Sequence, residues 1–123
     1  SIPGEIVPGA SFYTYEDKYR DGVAELHIPA RLPDDVNEAI RATAVKAYRA
    51  LRCEGLARVD FFYDAKYDRI LLNEINTMPG FTPISMYPKM WAATGIQYSD
   101  LISRLVDLAV ARHDRRLAHR RTE

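Results

Sequence analysis

Leu56-Ala57-Arg58-Val59-Asp60-Phe61-Phe62-Tyr63 and Arg69-Ile70-Leu71-Leu72-Asn73-Glu74-Ile75-Asn76 flank the polar tract Asp64-Ala65-Lys66-Tyr67-Asp68. Both flanks are rich in β-branched and aromatic residues. The stretch therefore predicts a β-hairpin with a longer loop. Side chains alternate along a strand, so Arg58 and Asp60 share one face, as do Glu74 and Asn76. Symmetrical pairing about the loop sets Asp60 opposite Glu74 and Arg58 opposite Asn76. Opposed residues have Cβ atoms only about 4.5–5.5 Å apart. Bare carboxylates that close repel each other, so one takes up a proton or a cation sits between them. Oxygen-only donors of this kind suit magnesium. The plainer alternative is an exposed ladder of charged pairs in which Arg58 neutralises one acid. A paired-carboxylate glycosidase would need a sugar cleft that nothing in the sequence indicates.

The next segment, Asn76-Thr77-Met78-Pro79-Gly80-Phe81-Thr82-Pro83, leaves the second acid strand directly. Gly80 permits a turn with its N–H exposed to a ligand. Ser85 caps a short helix that ends near Gly95, and the free N–H groups at its start favour a carboxylate or phosphate. Pro-Gly alone would be mere punctuation. Acids, amide, glycine loop and helix start in one contiguous run are far more specific.

Outward from this centre, Asp34 or Asp35 caps an amphipathic helix whose apolar stripe is Val36, Ile40, Ala44, Ala47, Tyr48 and Leu51. Cys53 near its end reads as a small buried hydrophobe rather than a nucleophile. Val23 to Ile28 predicts a strand, and residues 2–13 a short strand or two. Residues 14–22 form a polar, aromatic loop ending in Asp-Gly. Ser99 caps a last helix with the core stripe Leu101, Ile102, Leu105, Val106, Leu108 and Ala109.

The chain has 123 residues, 47% apolar and 28% charged, with a formal net charge of zero. That describes one globular domain able to bury a core, and it excludes disorder. One cysteine excludes an internal disulfide framework. No apolar run reaches the length of a membrane helix, so no membrane partner and a reducing cytoplasmic address are expected. Residues 112–123 carry five arginines against two acids, balanced by an acidic excess elsewhere. No aromatic residues interleave with them, so they predict a frayed, solvated helix end and no nucleic-acid partner. Ser1 opens the chain inside ordered-looking sequence, which suggests the later part of a longer protein.

The runs Leu56 to Phe62, Leu72 to Thr82 and Ile84-Ser85-Met86-Tyr87-Pro88 together resemble the C-terminal part of the bacterial D-alanine–D-alanine ligases, which are ATP-grasp enzymes. Phe12-Tyr13-Thr14-Tyr15-Glu16-Asp17-Lys18-Tyr19 resembles their active-site covering loop. The resemblance runs from about Gly4 to about His113. It implies an α+β fold over residues 1–123, the C-terminal ATP-grasp lobe, with a largely antiparallel sheet and packed helices. It also implies roles. Asp60, Glu74 and Asn76 would hold two magnesium ions, or manganese in their place, against ATP. Arg58 would contact the transferred phosphoryl group and the oxyanion, and the Gly80 N–H would complete the oxyanion hole. Ser85 and Met86 would hold the carboxylate of a second D-alanine. Lys18 and Tyr19 would close over the phosphates, and Phe12 and Phe62 would flank the adenine. Asn73 departs from the more apolar residue usual beside the adenine in some members.

The implied reaction joins two D-alanines through an acylphosphate, for peptidoglycan precursor synthesis. The histidines take no part in it. The family's substrate domain, phosphate loop and ATP-side lysines are not among these residues, so the chain is expected to be a fragment. Its partners would be ATP, D-alanine, the remainder of the same enzyme and a second copy in a homodimer. A D-alanine–D-lactate ligase is the nearest enzymatic alternative, against which the Lys18-Tyr19 loop speaks. A non-catalytic binding module is the alternative of another class, against which the intact Asp60, Glu74 and Asn76 speak.

Overall fold

The computed structural model describes residues 1–8 and 24–120. Its elements are β1 (Glu5–Pro8), β2 (Ala24–His27), α1 (Asp34–Ala50), β3 (Arg58–Asp64), β4 (Arg69–Asn76), α2 (Met86–Ala93) and α3 (Tyr98–Arg120). The α+β expectation holds, with all described strand pairing antiparallel. The strands form two separate two-stranded ribbons, β1 with β2 and β3 with β4, rather than one sheet among the described residues. No helix among the described residues is long and apolar enough to cross a membrane.

Helix α1 turns the expected stripe inward, and Val36 is its buried anchor. Leu51, expected in that stripe, lies past the last turn and is 66% exposed. Pro33 is the N-cap residue, so Asp34 and Asp35 fall in the first turn instead. There they complement the positive end of the helix dipole rather than cap it. Likewise α3 begins at Tyr98, one residue before Ser99. Cys53 is half-buried, not buried.

β1 is tied to the rest by backbone and side-chain bonds. The Ile2 N–H donates to Thr94 Oγ1 at 2.9 Å, the Ala30 N–H donates to the Pro3 carbonyl at 3.0 Å, and the Arg31 N–H reaches Glu5 Oε2 at 3.1 Å. Gly4 is where β1 meets α2. A Cβ there would lie 2.7 Å from Met86 Cε, so the flexible end of the Met86 side chain would have to shift to admit it.

The core is thin. Ala30, Val36, Tyr87 and Leu101 are the buried hydrophobic residues, and no side chain among the described residues is fully enclosed. The stripe expected on α3 is only partly core. Leu101 is 4% exposed, but Ile102, Val106 and Leu108 are 40%, 55% and 52% exposed. Helix α3 packs against α2, and Leu105, Leu108 and Arg112 line a cleft toward the end of α1. The arginine-rich end is not frayed up to Arg120. Arg112 and Arg115 both pair with Glu54, just beyond α1.

Candidate active site on the acidic hairpin face

The hairpin register is the expected one at the acids: Arg58 opposes Asn76, and Asp60 opposes Glu74. Between Asp60 and Phe61 the register slips, so that Phe61 opposes Leu72 and Phe62 opposes Leu71. Asn73 is the extra residue on β4, and it forms a bulge. One extra residue reverses the parity of every side chain beyond it. One face therefore carries Arg58, Asp60 and Phe62 from β3, with Asn76, Glu74 and Leu71 from β4. The other face carries Val59, Phe61 and Tyr63 with Ile75, Leu72 and Ile70. Helix α1 lies against both strands of this hairpin.

On the first face, Arg58 forks onto Asp60. Its Nε donates to one carboxylate oxygen and a terminal nitrogen to the other, both at 2.7 Å. The same terminal nitrogen lies 3.5 Å from Glu74 Oε1. The repulsion expected between the paired acids is thus offset within the chain, by the guanidinium. Arg58 and Asp60 are about two-thirds shielded, and Glu74 is half exposed. Asn76 Oδ1 accepts the Met78 N–H at 2.9 Å, which turns the chain out of β4.

Asp60, Glu74 and Asn76 offer two carboxylates and a carboxamide on one face, with no nitrogen or sulfur donor. Among the described residues no cluster of three or more His, Cys, Asp or Glu side chains forms, so the set is small. A set of few, hard oxygen donors fits a magnesium-like ion that keeps water or phosphate oxygens in its remaining positions. It does not fit an all-protein cage. Phe62 and Leu71 continue the face as an apolar pair, 62% and 47% exposed. The family resemblance pointed to Phe62; symmetrical pairing would set Leu72 opposite it, and the bulge sets Leu71 there instead.

The loop then runs to α2. Pro79 is buried and Gly80 is exposed. Gly80 does not have a left-handed φ. What it supplies is space, since a Cβ would stand 3.1 Å from Ser85 Oγ. Phe81 stacks at a tilt on Tyr87 and Tyr98, with ring centroids 5.8 and 5.5 Å apart. Tyr98 Oη donates to the Phe81 carbonyl at 2.8 Å, so the first turn of α3 pins the loop. Burial pushes the Tyr87 phenol above its ordinary pKa, with the nearby Tyr48 adding to the shift. Ser85 is at the N-cap of α2 with extended backbone angles, but its side chain makes no capping bond. It turns back to Thr82 instead. The N–H groups at the start of α2 keep their favourable field for an anion.

The structure brings Arg58, Asp60, Glu74, Asn76 and Phe62 to one face, and Gly80, Ser85 and Met86 to the loop–helix junction that follows it. Phe12, Lys18 and Tyr19 lie outside the described residues. A separate cleft of about 570 Å³ lies between α3 and the end of α1, lined among others by Tyr48, Glu54 and Arg112, and it contains none of the hairpin's acids. Of the histidines, His27 pairs with Glu25 at 3.1 Å.

Residues 1–107 match the family model described as D-ala D-ala ligase C-terminus. The chain belongs to this family. A D-alanine–D-alanine ligase of Prosthecochloris aestuarii is 57% identical over 110 residues, which is 89% of this chain and 31% of that protein. The structure of the D-alanine–D-alanine ligase from Coxiella burnetii superposes with a TM-score of 0.77 at 41% identity, over 80% of this chain and 28% of that one. A Bacillus anthracis D-alanine–D-alanine ligase, solved in complex with ATP, superposes with a TM-score of 0.74 at 29% identity, over 94% of this chain and 37% of that one. The chain thus spans about a third of the length of the curated relatives it matches. Its α+β architecture is that of the ATP-grasp ligases.

Proposed function

We propose that this chain is the C-terminal catalytic lobe of an ATP-dependent D-alanine–D-alanine ligase, cytoplasmic and serving peptidoglycan synthesis. The supporting observation is the hairpin face itself. Arg58, Asp60, Glu74 and Asn76 stand together there, and the chain leads from them through Gly80 straight to an anion-favouring helix start. Family membership and the ATP complex of a relative support the nucleotide as co-substrate.

In the proposed reaction a carboxylate oxygen of the first D-alanine bonds to the γ-phosphorus of ATP, and the bond to ADP breaks. The amine of a second D-alanine, having shed a proton, attacks the acyl carbon of the resulting acylphosphate. The tetrahedral intermediate collapses, and inorganic phosphate leaves with the electron pair of the broken C–O bond. Magnesium held by Asp60, Glu74 and Asn76 would supply positive charge against the phosphate oxygens. Arg58 turns from Asp60 toward the phosphoryl oxygens and the oxyanion, where a planar fork of donors matches the charge. The Gly80 N–H meets the oxyanion. Ser85 and the Met86 N–H hold the acceptor's carboxylate, and the Met86 side chain stays packed at Gly4. Phe62 and Leu71 provide one apolar wall for the adenine, opposite Phe12, while Lys18 and Tyr19 close over the phosphates. No protein nucleophile is required.

The test is phosphate release from ATP by the full-length polypeptide that carries these residues. Release should depend on D-alanine and on magnesium, with D-alanyl-D-alanine recovered by mass spectrometry. Release independent of D-alanine, or ester formation with D-lactate in preference to the dipeptide, would refute the assignment. The 123-residue chain alone should not turn over.

A further inference from the structure

We propose that Thr82 is a positioning residue that directs the hydroxyl proton of Ser85 into the acceptor site. The inference rests on the proposed ligase function and goes one step beyond it. Thr82 and Ser85 are the ends of a tight turn through Pro83 and Ile84, closed by the Ser85 N–H on the Thr82 carbonyl at 2.9 Å. Pro83 sits where a turn favours a fixed φ. The turn folds both residues' polar groups together. Ser85 Oγ accepts the Thr82 backbone N–H at 3.1 Å and lies 2.8 Å from Thr82 Oγ1.

A serine hydroxyl has one proton and two acceptor positions. The Thr82 N–H fills one acceptor position. The 2.8 Å contact then has two arrangements. If Ser85 donates to Thr82, its proton points into the turn and no donor faces the site. If Thr82 donates, both acceptor positions of Ser85 are filled, and its proton is free for a ligand. A carboxylate accepting that proton makes a charge-assisted bond, which is stronger than the neutral hydroxyl pair it replaces. Donation from Thr82 also polarises the Ser85 hydroxyl in the direction that strengthens this bond. Thr82 thereby makes Ser85 a dedicated donor to the acceptor's carboxylate. Gly80 completes the arrangement, because a Cβ at that position would press on the same oxygen at 3.1 Å.

The test is a double-mutant cycle in the full-length enzyme. Thr82→Val keeps the branched shape and removes the hydroxyl. It should raise KM for the acceptor D-alanine about three- to ten-fold, the scale of one lost hydrogen bond between neutral groups, with KM for ATP and kcat nearly unchanged. Thr82→Ser should restore the wild-type value. Thr82→Ala serves if valine disturbs the turn. In a Ser85→Ala background, Thr82→Val should have no further effect on acceptor KM, since the two act as one unit. Equal effects of Thr82→Val in both backgrounds, or an unchanged acceptor KM, would overturn the positioning role while leaving the ligase reading intact. A wild-type enzyme with no D-alanine-dependent turnover would overturn both.

Discussion

Asp60→Asn in the full-length enzyme separates a metal-binding role from a merely structural one. Asparagine keeps the size of the side chain and one carbonyl oxygen, but it removes the charge. On the stability side, the change weakens the two 2.7 Å bonds from Arg58. Their gross attraction at an effective dielectric of 20 is about 4 kcal/mol. Desolvation of a pair that is only about one-third exposed cancels much of that. Arg58 also retains Glu74 at 3.5 Å as a second partner. The net loss should therefore be about 1–2 kcal/mol, above the range of a fully exposed pair. For a protein of the relatives' size that is a fall of a few degrees in melting temperature, roughly 2–4 °C per kcal/mol. On the catalytic side, loss of one of two charged ligands should cost about 10³-fold in kcat, or about 4 kcal/mol of transition-state stabilisation. The two effects differ enough to be read apart. Glu74→Gln provides the control: Glu74 is half exposed and lacks the fork, so stability should change by under about 0.5 kcal/mol while turnover falls comparably. The assays are thermal melts without metal and coupled phosphate release at saturating magnesium and ATP. Turnover of Asp60→Asn within about three-fold of wild type, with the melting temperature lowered as stated, would show that Asp60 is a structural partner of Arg58 and nothing more.

Three further outcomes are expected. Phe62→Ala removes a side chain that is 62% exposed, so it should leave the melting temperature within experimental scatter while raising KM for ATP about ten-fold; a stability loss without a KM change would place Phe62 outside the nucleotide site. Leu101→Ala empties a position that is 4% exposed and should cost about 2–4 kcal/mol in a urea titration, with kcat changed little in the folded fraction. The raised pKa of Tyr87 means that the folded state holds its phenolic proton more tightly than the unfolded chain, so this contribution to stability is complete below about pH 10 and is lost as pH rises through the folded value; Tyr87→Phe should flatten the alkaline limb of the stability profile, and an unchanged limb would mean that Tyr87 does not set it.

The acidic face was legible because strand alternation is a rigid rule. Arg58, Asp60, Glu74 and Asn76 needed only the correct register, and that register held up to the bulge. Beyond it, sequence parity failed, since nothing in Leu71-Leu72-Asn73 marks which residue is extra. The starts of α1 and α3 were displaced by one position or more because Pro33 and Gln97 occupy the turns that Asp34 and Ser99 were expected to open, whereas Ser85 stands at the start of α2 as expected. Leu101 was rightly placed in the core, but the expected stripe was drawn too wide and took in Val106, which stands far round the helix from Leu101 and is 55% exposed. Apolar spacing reports that a face is apolar, not that an element covers it. The basic end of α3 was misread as frayed for another reason. Its partner, Glu54, is nearly sixty residues away, and only the fold brings it to Arg112 and Arg115.

With so few buried side chains among the described residues, the site is held instead by short connections. From Asn76 to Ser85 each part of the loop has its own local fastening. Asn76 Oδ1 holds the Met78 N–H at the exit from β4, and buried Pro79 anchors the middle. Tyr98 Oη donates to the Phe81 carbonyl while the Phe81 ring meets Tyr87 and Tyr98, and Thr82 locks to Ser85 through three separate hydrogen bonds. Each fastening spans at most seventeen residues of sequence, so little chain entropy opposes it. At the other end of the site, Arg58 and Asp60 are two residues apart on one strand, and the ladder to β4 fixes Glu74 against both. Neither half depends on a large hydrophobic core for its geometry. A loop fastened at so many points should also fail piecemeal. Removing one bond loosens the group it holds and leaves its neighbours in place. Under the proposed function, a single substitution should therefore separate nucleotide binding on the hairpin from acceptor binding at Ser85, although the two lie within thirty residues of each other in one continuous run.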